Sequence, residues 1–558
     1  MRKIFHNAQI VDVVGHRIFF GWFSVVDGYF EFVEEGNCFE DLPGIRVDLN
    51  GAYVVPGLID AHMHIESSLV TPQRFAAKAA EWGTCVVLQD PHEMANVLGV
   101  PGISFMIEDA LASVLHIYTA IPSCVPPTRA SLETTNFQIS SNDVEYLATK
   151  PRVIALGEVM DYRGILNNDA ELLKIVNTAK KLKLNIEGHC PTLKGRALSQ
   201  YISVGVSSDH TFTCPEKILE ELQKGMYVML QPKSLTKDNV EYIMKLKDRS
   251  RILLVTDDTL PTDLTKGHLN RVVRLAISRG WDCLDAIASA TIRPAQYLGI
   301  KDIGITAPGK IANFFTTHQL ETLLPKSVFL AGEPLSPAIS ITTLLPEEFV
   351  QSLKIRKLTT EDFRMLPDGG CATVNVIVVD ENTHYTKLTQ KCITFQEGYP
   401  NISDEDLALI AVFYRSSREP QGSVGLISGL GLQHGAFCTS FAHDSHNLLI
   451  IGREPYAMAV AANAVIESGG GIAVSDGKDI HLLRLPIGGI ITDEPVDNVA
   501  NKLELIETTL NLWGLKFPLS FLLTLTLTTS PYYKISDKGI VDVERRLIIP
   551  IISELSSI

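Results

Sequence analysis

"AYVVPGLIDAHMHIESSLVTPQRFAAKAAEWGTCVVLQDPHE" (Ala52–Glu93) runs from a β-rich stretch through an amphipathic helical one into a second β-rich stretch. That order signals parallel strands joined by a crossover helix. The unit repeats as far as Leu254: "HIYTAIPSCV", "VIALGEV", "LNIEGHC", "GVSSDH", "MYVMLQ" and "ILLVTDD" bring the strand candidates to eight. Helical patterns such as "DAELLKIVNTAKKLK" and "CPEKILEELQKG" lie between them, some closing on the Gly expected just past a helix end. Eight βα units across residues 54–300 predict an α/β fold built on a (β/α)₈ TIM-like barrel. An open doubly wound sheet is the structural alternative, but no Gly-rich phosphate turn follows the first strand.

The flanks break the rhythm. Residues 1–53 read as antiparallel β-structure, and a similar β-rich segment returns at 301–352, "ITAPGKIANFFTTHQLETLLPKSVFLAGE". The two are expected to be halves of one composite small β-domain interrupted by the barrel. Residues 353–558, with strands such as "ATVNVIVVD" and the helical run "YAMAVAANAVIESGG", form a C-terminal α/β domain. No internal repeat or low-complexity linker divides them.

Of the 558 residues, 46% are hydrophobic and 20% charged, which describes a globular chain with a sizeable core. A net charge of −15 argues against nucleic acid or an anionic membrane as partner and favours a small neutral or cationic substrate. No stretch reaches the roughly twenty apolar residues of a membrane helix. The start, "MRKIFHNAQIVDVVGH", lacks the apolar block of a signal peptide, so the expected location is the cytoplasm. Nine cysteines without a CxxC pair suit reduced thiols better than disulfides or a thiolate metal site.

In barrel enzymes the C-terminal strand ends build the active site. Here the first strand ends in His62 and His64, which alternation puts on one face, the fourth in Glu158, the fifth in His189, the sixth in His210 and the eighth in Asp257. Singly, each has an ordinary structural role; six metal-ligating side chains at the correct ends of five strands do not. Four imidazoles and two carboxylates exceed the three protein ligands usual for one catalytic zinc, so two divalent ions fit better, with Glu158 as the bridging carboxylate.

Fragments in order along the chain, "PGLIDAHMHIESS", "DPHEMANVLG", "PSCVP", "LGEVM", "EGHCP", "SSDH", "VTDD", "GHL", "APGKIANF", "SFAHDSHN", "ESGGGIAV" and "LPIGGIITDEP", resemble the bacterial adenine deaminases of the amidohydrolase superfamily nearly end to end. The resemblance implies a metal-dependent hydrolase of purine metabolism that acts on a cyclic amidine C–N bond, turning adenine into hypoxanthine and ammonia. It implies two metal ions, Mn²⁺ or Fe²⁺ in preference to Zn²⁺, and a C-terminal domain covering the barrel mouth. A metal-activated hydroxide attacks C6, with Asp257 as general base then acid. Glu66, His92 and Glu93 are candidates for protonating N1. Asp90 should overhang the site, and His443, Asp444 and His446 of "FAHDSHN" should contact substrate as a lid. Oligomeric state is open, a homo-oligomer included.

Departures from the family pattern cluster at two strand ends. Thr211 stands where a Glu follows "SSDH", and Gln231, Pro232, Lys233 and Ser234 replace an Arg-Glu-Gly-Ser run. Asn313 and Thr259 replace an Asp and a basic residue elsewhere. Two alternatives therefore stand beside adenine: a related dinuclear amidohydrolase acting on another purine or cyclic amide, and a catalytically silent barrel scaffold. A scaffold should have lost metal ligands; all six are present.

Overall fold

Aromatic and β-branched residues dominate the N-terminal segment, and it folds as β1 (Lys3–Asp12), β2 (Arg17–Val26), β3 (Tyr29–Glu35), β4 (Ile45–Asp48) and β5 (Tyr53–Pro56). β1, β2 and β3 form an antiparallel meander, while β4 and β5 run parallel to β1. The computed structural model describes every residue except 38, 40, 129, 337–344, 367–368, 381–384, 403–405 and 557–558. Part of the 301–352 segment thus lies outside the described residues.

The barrel strands are β6 (Leu58–His64), β7 (Thr84–Gln89), β8 (His116–Ile121), β9 (Val153–Val159), β10 (Asn185–Gly188), β11 (Ser208–Asp209), β12 (Tyr227–Leu230), β13 (Ile252–Leu254) and β14 (Asp257–Asp258). Every ladder among them is parallel, in two arcs: β10-β9-β8-β7-β6-β14 and β11-β12-β13. β14 continues the line of β13, which makes eight strand positions and joins the arcs on one side. On the other side, Ser207 N–H donates to the Ile186 carbonyl at 3.0 Å. A Cβ at Gly188 would lie 2.2 Å from Ser208 O, so only glycine lets β10 pass this close to β11. This is the expected α/β TIM-like barrel.

The run expected as a single strand at Ala52–His64 is two. β5 belongs to the small sheet and β6 to the barrel, divided at Gly57, whose N–H donates to Asn313 O at 2.9 Å. After the barrel come β15 (Phe314–Thr317), β16 (Ser327–Leu330) and β17 (Glu333–Pro334), and β15 pairs antiparallel with β5. One sheet therefore takes strands from both sides of the barrel segment. Its core stacks Phe5 on Phe23 at 4.9 Å and Phe314 on Phe329 at 4.6 Å.

Two compact units result. The first is Met1–Pro91, Phe105–Ser123 and Ser140–Thr343; the second is His92–Ser104, Cys124–Ile139 and Leu344–Ile558. The second is built on β18 (Gly370–Val379), β19 (Thr386–Gln396), β20 (Tyr399–Pro400), β21 (Leu407–Phe413), β22 (Gly422–Ser428), β23 (Ala436–Thr439), β24 (Leu448–Gly452), β25 (Gly471–Ser475) and β26 (Ile480–Arg484). Their order in the sheet is β20-β19-β18-β22-β21-β24-β23-β25-β26. Helix Pro455–Glu467 buries Ala457, Met458, Ala461, Ala462 and Val465 in the core of this unit.

His92–Ser104 and Cys124–Ile139, inside the 54–300 span expected for the barrel, pack within the second unit. Specific contacts hold them. Gly488, at φ +62°, lies so close that a Cβ would sit 3.1 Å from Val97 and 3.2 Å from the Met94 sulfur. Thr134 N–H donates to Asp537 Oδ1 at 2.9 Å, Ser536 Oγ to Leu132 O at 2.6 Å, and Tyr414 to Asn136 Oδ1 at 2.6 Å. Among the described residues no helix is long and apolar enough to cross a membrane.

Candidate active site

Alternation along β6 sets Asp60, His62 and His64 on one face, and all three are buried. His64 Nε2 lies 3.2 Å from Glu158 Oε1 and 3.4 Å from Asp257 Oδ1. The other Glu158 oxygen, Oε2, meets His189 Nδ1 at 2.6 Å and His210 Nε2 at 3.2 Å. Asp257 Oδ1 stands 3.6 Å from His62 Nε2 and 3.8 Å from His210 Nε2. The six side chains expected at strand ends therefore converge, with the two oxygens of Glu158 turned to different imidazoles.

Neighbouring residues hold these donors in place. The Asp90 carbonyl accepts from His64 Nδ1 at 3.0 Å, which leaves Nε2 facing the carboxylates. Asp90 Oδ2 accepts the backbone N–H of Glu158 at 2.9 Å, and a Cβ on Gly157 would lie only 2.2 Å from that oxygen. Asp209 Oδ1 accepts from Cys190 N–H at 2.7 Å, beside His189, while its Oδ2 takes Lys217 at 2.8 Å and Thr211 at 2.7 Å. Gln231 Nε2 donates to His210 O at 2.9 Å. Thr211 and Gln231 thus support strand ends. Asp257 itself sits at φ +62°, a left-handed conformation that Asp tolerates better than most residues.

Burial pulls His62 below its ordinary range, helped by the neighbouring His210. Burial also opposes charge on His210, but Glu158 and Asp257 more than offset it and raise its pKa to about 9. Burial alone would neutralise Glu158 and Asp257, yet the surrounding imidazoles hold both well below the carboxylate range. Sequence reasoning passed over Glu187, whose Oε2 lies 3.8 Å from His62 Nδ1; burial pushes it up to about 8, and Tyr297 donates to its other oxygen. Its spacing of two from His189 was the available signal.

His62 Nε2 is buried and has no hydrogen-bond partner among the described residues. A cation would satisfy it. Donor atoms of His62, His64 and Glu158, of His62, His210 and Asp257, and of Glu158, His189 and His210 each lie within 4.8 Å of one another. These nitrogen and oxygen donors, with no thiolate, fit a borderline or hard divalent cation. Glu66 is buried in the turn Ile65–Ser68 directly after β6, and Ser67 of the same turn donates to Asp258.

The remaining expected residues gather in the second unit. Glu93 Oε1 pairs with His443 Nδ1 and Oε2 with His446 Nε2. Ala442 N–H donates to His446 Nδ1 at 3.1 Å, so the His446 proton sits on Nε2 and is given to Glu93. Burial lowers His446 to about 4. Burial would raise Glu93, but His443, His446 and His92 hold it well below its usual range. Burial and the Glu93 charge push Asp444 up to about 7. His92 Nε2 lies 3.5 Å from Glu93 and 3.9 Å from Asp444. Buried Arg415 donates to His446 O at 3.1 Å and to Ser352 Oγ at 2.8 Å, bracing this loop.

Residues 53–335 match the amidohydrolase family, whose members are metal-dependent, and residues 383–546 match the adenine deaminase C-terminal domain. "Adenine deaminase 2" of Oenococcus oeni is 36% identical over 560 residues, covering 98% of each chain. "Adenine deaminase" of Clostridium perfringens is 35% identical over 540 residues, 93% of this chain and 94% of its own. The protein of that name from Methanothermobacter thermautotrophicus is 35% identical over 91% of this chain and 93% of its own. A solved enamidase aligns over 60% of this chain and 96% of its own at 14% identity, with a TM-score of 0.48.

Proposed function

The chain belongs to the adenine deaminases of the amidohydrolase family, and from that premise we propose that it hydrolyses adenine to hypoxanthine and ammonia at the six-donor cluster of its barrel. The observation that carries the reading is the meeting of His62, His64, His189 and His210 around Glu158 and Asp257 in a chain whose relatives match it nearly end to end. His62, His64, Glu158, His189, His210 and Asp257 would hold two divalent ions, Mn²⁺ or Fe²⁺ in preference to Zn²⁺. When bound, such ions would lower the pKa of a water and so make a nucleophile available at neutral pH.

The side chains do the rest. Asp257 takes the proton from the attacking water and returns it to the exocyclic amine, which leaves as ammonia. His64 keeps its Nε2 turned inward because the Asp90 carbonyl holds Nδ1. Protonation of N1 falls to Glu66, His92 or Glu93. Glu93, held ionised by its imidazoles, carries no proton of its own to give. His443, Asp444 and His446 are assigned to substrate recognition, with His446 and His443 fixing the Glu93 carboxylate.

The test is purified protein grown with ample manganese, assayed for adenine loss, hypoxanthine formation and ammonia release, with metal measured per chain. Turnover of adenine with about two metals per chain is expected. A panel of other purines and cyclic amides runs alongside. Adenine left untouched while another compound is hydrolysed overturns the substrate; fewer than one metal per chain and no turnover of any compound returns the scaffold reading.

A further inference from the structure

We infer that Cys371 and Cys392 form a dithiol modification site in the C-terminal unit, which a hydroperoxide oxidises to a disulfide. The register of β18 and β19 sets Cys371 opposite Thr394 and Thr373 opposite Cys392. Residues facing one another across an antiparallel ladder share a face, as do positions two apart on one strand. Cys371 and Cys392 are therefore diagonal neighbours on one face of the sheet, and their sulfurs lie 2.7 Å apart. That is less than an ångström beyond the roughly 2.05 Å of an S–S bond.

Exposure separates Cys392 from the other thiols. Cys85, Cys124, Cys190 and Cys438 are buried, and burial raises Cys85 to about 12 and holds Cys190 and Cys438 well above their ordinary range. Those sulfurs stay as inert thiols. Cys392 is the one exposed cysteine among the described residues, and Cys371 beside it is half-buried. An oxidant in solution thus meets Cys392 first, with a second thiol already in reach.

The chemistry balances with one hydroperoxide. The Cys392 thiolate attacks a peroxide oxygen, the O–O bond breaks, and sulfenic acid forms while the other oxygen takes up the thiol's proton and leaves as water, or as an alcohol from an organic hydroperoxide. The Cys371 thiolate then attacks that sulfur, the S–O bond breaks and water leaves. Two thiols lose two electrons and the peroxide gains them. A dithiol reductant reverses the step by exchange.

The test treats the full chain with hydrogen peroxide at low molar excess, blocks remaining thiols by alkylation and maps peptides by mass. A linked pair containing Cys371 and Cys392 is expected, absent after a dithiol reductant, with Cys214 and Cys283 still alkylated. In Cys371→Ser, Cys392 should instead run on to sulfinic acid. Both Ser variants should keep the activity of the untreated parent, which shows that they fold. If the parent's Cys392 oxidises singly at the rate seen in Cys371→Ser, or if both cysteines stay alkylatable after peroxide, the assignment is wrong.

Discussion

Asp257, the proposed proton carrier, turns its Oδ1 to three imidazoles at 3.4 to 3.8 Å, with its backbone at φ +62°. Asp257→Asn keeps the shape and removes the base. It should lower kcat about 10²-fold to 10⁴-fold with metal content and KM little changed; loss of metal in step with activity would make Asp257 a ligand only. A second residue-scale prediction concerns pH. His268 is fully buried, and burial pulls its pKa from 6.5 to about 3. The unfolded chain therefore binds the extra proton between those values, and stability falls as pH drops through that window. Asp60, 3.6 Å away, is raised by burial from 3.8 to about 7, so the folded chain binds the extra proton there and stability rises as pH drops. The two slopes oppose, each at most about 1.4 kcal/mol per pH unit. In metal-stripped protein, His268→Gln should leave the Asp60 slope alone, so the urea midpoint of the variant climbs relative to the parent from pH 7 to 4.5. Parallel profiles would sink the idea.

The turn from β7 into Asp90 and the end of β9 act as one device, since Asp90 touches His64 through its carbonyl and Glu158 through its carboxylate. Gly157→Ala puts a methyl 2.2 Å from Asp90 Oδ2 and forces the two apart. Overpacking of this kind costs about 1–3 kcal/mol, and displacement of Glu158 should also lower the metal bound per chain. Normal metal content in a destabilised variant would mean that Asp90 braces the strand without setting the donor. The same scale shows what was legible in the chain. Strand ends stood out because the barrel puts chemistry there, and parity tied His62 to His64. Parity also pointed to Asp60 and Glu187, two residues from His62 and His189, but a carboxylate held by Thr256 or Tyr297 leaves no local mark, because those partners lie 196 and 110 residues away. Gly57 splits Ala52–His64 by a long-range bond to Asn313, and His92–Ser104 leaves the barrel's span through packing against Gly488. Neither follows from neighbouring residues.

All six candidate metal donors fall in the unit made of Met1–Pro91, Phe105–Ser123 and Ser140–Thr343, and none in the other. A cation that binds only the folded donors stabilises the unit that owns them, by RT ln(1 + [L]/Kd), about 2.7 kcal/mol at a hundredfold excess over Kd. Chelation should then act unevenly across one polypeptide. Peptides from β6, β9, β10 and β12 should exchange amide hydrogens faster in metal-stripped protein, and those from β21, β24 and β25 should keep their protection. Glu158→Gln in the presence of manganese should reproduce the stripped pattern, because the two Glu158 oxygens reach three of the four imidazoles. The second unit carries its own network, Glu93 between His443 and His446, in which the carboxylate meets both imidazoles directly. Its exchange should therefore be indifferent to chelator and sensitive to Glu93→Gln. If chelation loosens β21 and β25 as much as β6 and β9, the ions act on the whole chain and the barrel cluster is not their sole seat.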